Sequence, residues 1–127
     1  MIGRLWVPGP LPGMNEIISA AKGFGGKGIA YSKMKRTWTE IIVALCNHAK
    51  LVKFPGRVVF EFHWLEKDKR RDPDNVAAGG RKLILDGLVV AGVLRGDSWR
   101  FVQSWSDKFD VAALKPGVEV TIQSYGE

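Results

Sequence analysis

Between Val58 and Leu65 the chain follows a period of two: Val58, Phe60, Phe62 and Trp64 fall in one register, Val59, Glu61, His63 and Leu65 in the other. That is the period of a strand, and a face with three aromatic rings in four positions must be buried. The sequence on either side has a different period, which is why this segment constrains the fold so strongly. Upstream, Met34, Trp38, Ile41, Ile42, Leu45, Ala49 and Val52 are spaced by threes and fours. They predict a helix from an N-cap at Ser32 to the Phe54-Pro55-Gly56 turn. Its other face carries Lys33, Lys35, Arg36, Glu40 and Lys50. Downstream of the charged segment from Glu66 to Asp74, Leu83, Ile84, Leu88 and Val89 predict a second helix that ends at Ala91, with Gly92 as its stop.

Three more strands complete the pattern. Ile2 to Val7 form an apolar run closed by Pro8; Trp99, Phe101, Gln103 and Trp105 alternate; Val118, Val120 and Ile122 alternate after a Lys115-Pro116-Gly117 turn. The order β-α-β-α-β-β predicts a small α+β domain, a mixed sheet packed with two main helices on one or both faces. Pro8 to Tyr31, with six glycines and the lysines Lys22 and Lys27, reads as one long loop of the kind that carries function. The 127 residues fit a single domain, 1–127, with no room for a separate cofactor module. Trp6, Trp38, Trp64, Trp99 and Trp105 are expected in the core.

Nineteen Lys and Arg against 13 Asp and Glu leave a net charge of +6, which favours a polyanionic partner. One cysteine, Cys46, excludes a disulfide framework and a Cys-rich zinc site and fits a reducing, cytoplasmic setting. No stretch nears the roughly 18 apolar residues of a membrane span, and Pro8, Pro10 and Pro12 interrupt the N-terminal run too early for a signal peptide, so neither membrane insertion nor export is expected. Gly23-Phe24-Gly25-Gly26-Lys27-Gly28 has the letters of a dinucleotide loop but no strand before it, and Gly28 stands where a phosphate loop needs Ser or Thr. No nucleotide cofactor is implied. His48 and His63 are too isolated for a zinc site or a catalytic triad.

The chemistry concentrates at Asp72-Pro73-Asp74-Asn75. Pro73 fixes its own φ and keeps Asp72 out of helical geometry, so Asp72-Pro73-Asp74 is predicted extended, with both carboxylates on one side. Two close carboxylates repel unless a cation neutralises them, and hard oxygen donors suit Mg²⁺, with Mn²⁺ as a substitute. The same letters also describe a solvated turn in which Asp74 or Asn75 caps the next helix. Lys82 and Asp86, four apart, read as an exposed ion pair, but the apolar run from Leu83 to Val90 around Asp86 demands that it have a partner or a task. Asp97 follows the helix in a turn.

Taken in order, Asp72-Pro73-Asp74-Asn75, Lys82-Leu83-Ile84-Leu85-Asp86-Gly87-Leu88 and Gly92-Val93-Leu94-Arg95-Gly96-Asp97 resemble the DxDN, K-x3-D-x-L and acidic-turn motifs of the RusA family of Holliday junction resolvases, in its phage- and prophage-borne branch. Leu11-Pro12-Gly13-Met14-Asn15-Glu16 is similar to the Pro- and Asn-containing segment near that family's N-terminus. The resemblance implies a Mg²⁺-dependent crossover junction endodeoxyribonuclease, a homodimer that cuts branched DNA in recombination and repair. It implies that Asp72, Asp74 and Asp97 hold the metal and that Lys82 is the basic residue stabilising the transition state. The family pairs two acids in its last motif; here Gly96 precedes Asp97.

For DNA contacts, Lys67, Lys69, Arg70 and Arg71 flank the aspartates, while Lys22, Lys27, Lys33, Lys35 and Arg36 cluster in and after the glycine-rich segment. Such cations track phosphates without reading sequence. Phe24 is a candidate wedge at a junction centre. Two other readings stand beside this one: a non-catalytic nucleic-acid-binding protein on the same fold, and an interaction domain in which the aspartates are only a turn. Metal dependence separates the first reading from both.

Overall fold

The structure, a computed structural model, describes residues 1–23 and 28–126. Its elements are β1 (Ile2–Pro8), α1 (Met14–Ala21), α2 (Ile29–Ala49), β2 (Val58–Glu66), α3 (Pro73–Val90), β3 (Val102–Val111) and β4 (Gly117–Ser124). The four strands form one mixed sheet in the order β1-β4-β2-β3. β4 is antiparallel to β1 and β2, and β3 runs parallel to β2 after the α3 crossover. The α+β class read from the periodicities is the one observed.

The period-two segment becomes the central strand β2. Phe60 lies opposite Ile122, Phe62 opposite Val120 and Trp64 opposite Val118, and Leu5 and Val7 continue those rows into β1. All eight are buried on one face beneath the helices. Phe60, Phe62 and Trp64 stack in succession with ring centroids 5.4 Å apart. On the opposite face Glu61 and Glu119 are exposed and His63 and Thr121 half-buried, so all the helices lie on a single face. The glycines of α3 explain the close packing. A Cβ on Gly80 would stand 2.5 Å from the Trp64 ring, and one on Gly87 would stand 2.5 Å from Cβ of Ile42.

Four expectations are corrected. The segment from Pro8 to Tyr31 is not all loop: Met14–Ala21 is a helix, so the order is β-α-α-β-α-β-β. It follows a glycine, and its first turn is capped instead by the Glu16 carboxylate, which accepts the Gly13 N–H at 3.2 Å. The second helix starts at Ile29, three residues before Ser32, behind a left-handed Gly28 (φ 65°) that needs no side-chain cap. The third strand begins at Val102 and runs to Val111, because Ser98–Phe101 turns back on itself through hydrogen bonds from Phe101 and Val102 to the Ser98 carbonyl. Finally, β3 is an edge strand exposed along almost its whole length, which leaves Trp105 51% exposed, and Trp99, in the turn before it, is 93% exposed rather than buried. Among the described residues no helix is long and apolar enough to cross a membrane.

Candidate active site

β2 delivers the chain to the site and α3 carries it away. After Glu66 the chain turns through residues 67–71, and α3 starts at Pro73. Asp72 is the N-cap residue, with the extended backbone (φ −69°, ψ 146°) that the following proline imposes. Only Asp72 is extended; Pro73 and Asp74 already belong to the first helical turn, which Pro73 enters without losing a needed donor. The Asp72 side chain makes no capping hydrogen bond. Asp74 accepts the Asn75 N–H on Oδ1 at 2.9 Å. Both aspartates are exposed, at a helix N-terminus whose dipole favours negative charge.

Asp72 borders a cavity of about 540 Å³ at the end of the sheet, lined also by Glu66, Asp68, Lys69 and, from the edge strand, Phe109 and Val111. Lys67, Lys69 and Arg70 are exposed on the turn beside it. The carboxylates of Glu66, at the end of β2, and of Asp68, within the turn, are lining groups that the DxDN motif does not point to. A strand ending in Glu followed by an acid-bearing turn was the available signal.

Arg71 differs from its neighbours. Its Nε and Nη2 donate to the two oxygens of Glu66 at 2.8 and 2.9 Å, and Nη1 donates to the Leu11 carbonyl at 2.8 Å and to Glu16 at 3.0 Å. Hydrogen bonding to Glu66, opposed by partial burial, leaves the guanidinium pKa above its ordinary value. Arg71 is thus a member of an internal network, unlike Arg70, whose side chain is 87% exposed and makes a long surface ion pair with Asp68 at 3.7 Å.

Asp97 is elsewhere. α3 spans about 27 Å at 1.5 Å per residue, and Asp97 follows its far end. There it borders a second cleft with Arg57, Trp99, Val102 and Trp105, at the start of β3. One chain therefore does not gather Asp97 with Asp72 and Asp74. Among the described residues no group of three or more His, Cys, Asp or Glu side chains is placed to hold a metal. Gly96 faces the Phe101 ring: a Cβ there would stand 2.8 Å from it, so a side chain at 96 requires that ring to move.

Lys82 is exposed on α3, about 12 Å along the helix axis from Asp74. Asp86 lies 3.7 Å from the Lys35 ammonium of α2 rather than pairing with Lys82, and its Oδ2 is buried without a hydrogen-bond partner, so the ion pair offsets the burial only in part. Lys22 ends α1, and Lys33, Lys35 and Arg36 are exposed on α2. Lys27 and Phe24 lie outside the described residues. A scan against protein-family models finds no match to the chain, and a search of curated proteins finds none either.

Proposed function

We propose that this chain is a Mg²⁺-dependent endodeoxyribonuclease that resolves branched DNA, four-way Holliday junctions above all, as a homodimer. The observation that carries this reading is the Asp72-Pro73-Asp74 turn. It holds two exposed carboxylates at a helix N-terminus, one of which, Asp72, is free of any capping bond and borders a cavity that the exposed Lys69 also lines. The donor set fits Mg²⁺, which takes one or two carboxylates and leaves its remaining positions to water and substrate phosphate. The chemistry that a divalent cation held by Asp72 and Asp74 supplies is activation of water and neutralisation of charge on the scissile phosphate. Lys67, Lys69 and Arg70 grip the flanking phosphates. Lys82, about 12 Å along the helix axis from Asp74, contributes to the positive field around the helix rather than to a direct contact with the reacting phosphate.

Dimerisation supplies what one chain lacks. The bare strand β3 has the Asp97 cleft against its first residues and the Asp72 cavity against its last. A two-fold axis at the middle of β3 would pair it antiparallel with β3 of a second copy, setting the Asp97 end of each beside the Asp72 end of the other. Trp99 and Leu114 favour that occupant. They are 93% and 102% exposed and sit in the turns that flank the two ends of the strand, so such an axis brings the Trp99 end of each copy to the Leu114 end of the other.

The competing reading, a nucleic-acid-binding protein without cleavage, draws on the separation of Asp97 from the other two aspartates. Mixing two inactive variants decides between them. In a mixed dimer of Asp72→Asn and Asp97→Asn chains, one of the two shared sites is intact. Nicking of one strand of a labelled junction should therefore return on mixing, where each variant alone gives none. Binding of the junction without any cleavage by the native protein would favour the competing reading.

A further inference from the structure

We infer that Arg71 is a positioning residue: with Glu66 and Glu16 it fixes the backbone that presents Asp72, and so sets the affinity of the aspartate turn for a divalent cation. This rests on the metal-site reading above. Arg71 immediately precedes Asp72, and its guanidinium is only 23% exposed. Three of its nitrogens make four hydrogen bonds, to the end of β2 (Glu66), to the segment leading into α1 (the Leu11 carbonyl) and to the first turn of α1 (Glu16). The planar fork matches both oxygens of Glu66, a geometry that lysine cannot reproduce.

The same α1 is held on α3 by two further contacts. The Asn15 N–H donates to Asn75 Oδ1 at 2.7 Å, and Gly79 meets the backbone of Gly13 and Met14 so closely that no Cβ fits. Arg71 therefore closes a ring of contacts around the turn: β2, Arg71, α1, Asn75 and back to Asp72, whose carbonyl accepts the Val76 N–H at 3.1 Å. A cation that wants its carboxylates in fixed places binds more tightly to a turn so held. Glu66 borders the cavity as well, and Arg71 occupies both of its oxygens.

The alternative role, a phosphate contact, predicts different effects. The test compares Arg71→Gln, Glu16→Gln and Arg70→Gln with the native protein. Mn²⁺ affinity is measured on the protein alone by electron paramagnetic resonance, and junction binding without metal is measured across a salt series. Arg71→Gln should weaken Mn²⁺ binding about 10-fold, and Glu16→Gln, which changes no charge lining the cavity, should weaken it in the same direction. Arg70→Gln should leave Mn²⁺ affinity unchanged but reduce the salt slope of junction binding by about one. The inference is overturned if Arg71→Gln behaves like Arg70→Gln. If the native chain binds no Mn²⁺, the metal-site reading fails, and amide exchange at Val76 still tests the positioning: it should quicken in Arg71→Gln and Glu16→Gln, and unchanged exchange overturns the inference.

Discussion

At the scale of single residues, the charges of this chain divide into those that hold the fold and those that stay exposed to solvent. Asp107 belongs to the first group. It lies on the helix-bearing side of the edge strand, accepts the Trp64 indole N–H at 2.8 Å and pairs with Arg81 of α3 at 2.5 Å. Arg81 in turn lies over the rings of Phe62 and Trp105, at 5.3 and 4.6 Å from their centroids. The pair is largely buried, with side-chain exposures of 11% and 20%. Removing one partner of such a pair leaves an uncompensated charge. Asp107→Ala is accordingly expected to cost about 3 kcal/mol of unfolding free energy, read from urea denaturation. A loss within the range of surface substitutions, below about 0.5 kcal/mol, would mean that β3 is held by its backbone ladder alone. Cys46 takes no part in this division: burial pushes its thiol up to about 11, and it stays protonated at neutral pH.

At the scale of elements, the features visible in the sequence were those with enough repeats to reveal their period. The nine residues of β2 and the 21 of α2 are long enough for that. The eight residues of α1 are not: they bury only Ile17, follow a glycine N-cap and depend on Glu16 and Asn75 for their placement. Those contacts span up to 60 residues of sequence, which local patterns cannot convey. The same holds for the glycines of α3. They lower helix propensity, yet Gly79, Gly80 and Gly87 are the places where α1, Trp64 and Ile42 come against the helix. Gly79→Ala, favourable by propensity, should therefore destabilise the protein by about 1–3 kcal/mol through displaced backbone. Its amide exchange should quicken in α1 before β2. Stabilisation by the substitution would contradict the close approach of α1 to α3.

At the scale of the whole molecule, the sequence showed the motifs in order but not their positions in space. Asp72 and Asp74 are neighbours because they are two residues apart. Asp97 is separated from them by the whole of α3, and only the folded chain shows that β3 runs from one cleft to the other. An exposed ten-residue edge strand flanked by apolar side chains is a hazard unless something covers it. The proposed homodimer uses it. Trp99→Lys combined with Leu114→Lys should convert the dimer to a monomer in analytical ultracentrifugation without lowering the unfolding midpoint of the isolated fold, because neither side chain packs within one chain. A double variant that remains dimeric would place the interface elsewhere.

The most direct measurement of the central claim is cleavage of a labelled four-way junction by the native protein in Mg²⁺, against the same reaction in EDTA, with Asp74→Asn and a linear duplex as controls. The account predicts paired symmetric nicks in the junction that disappear with chelator and with the substitution, while the duplex stays intact. Cleavage that survives either change, or a junction left whole in every divalent metal, would contradict it.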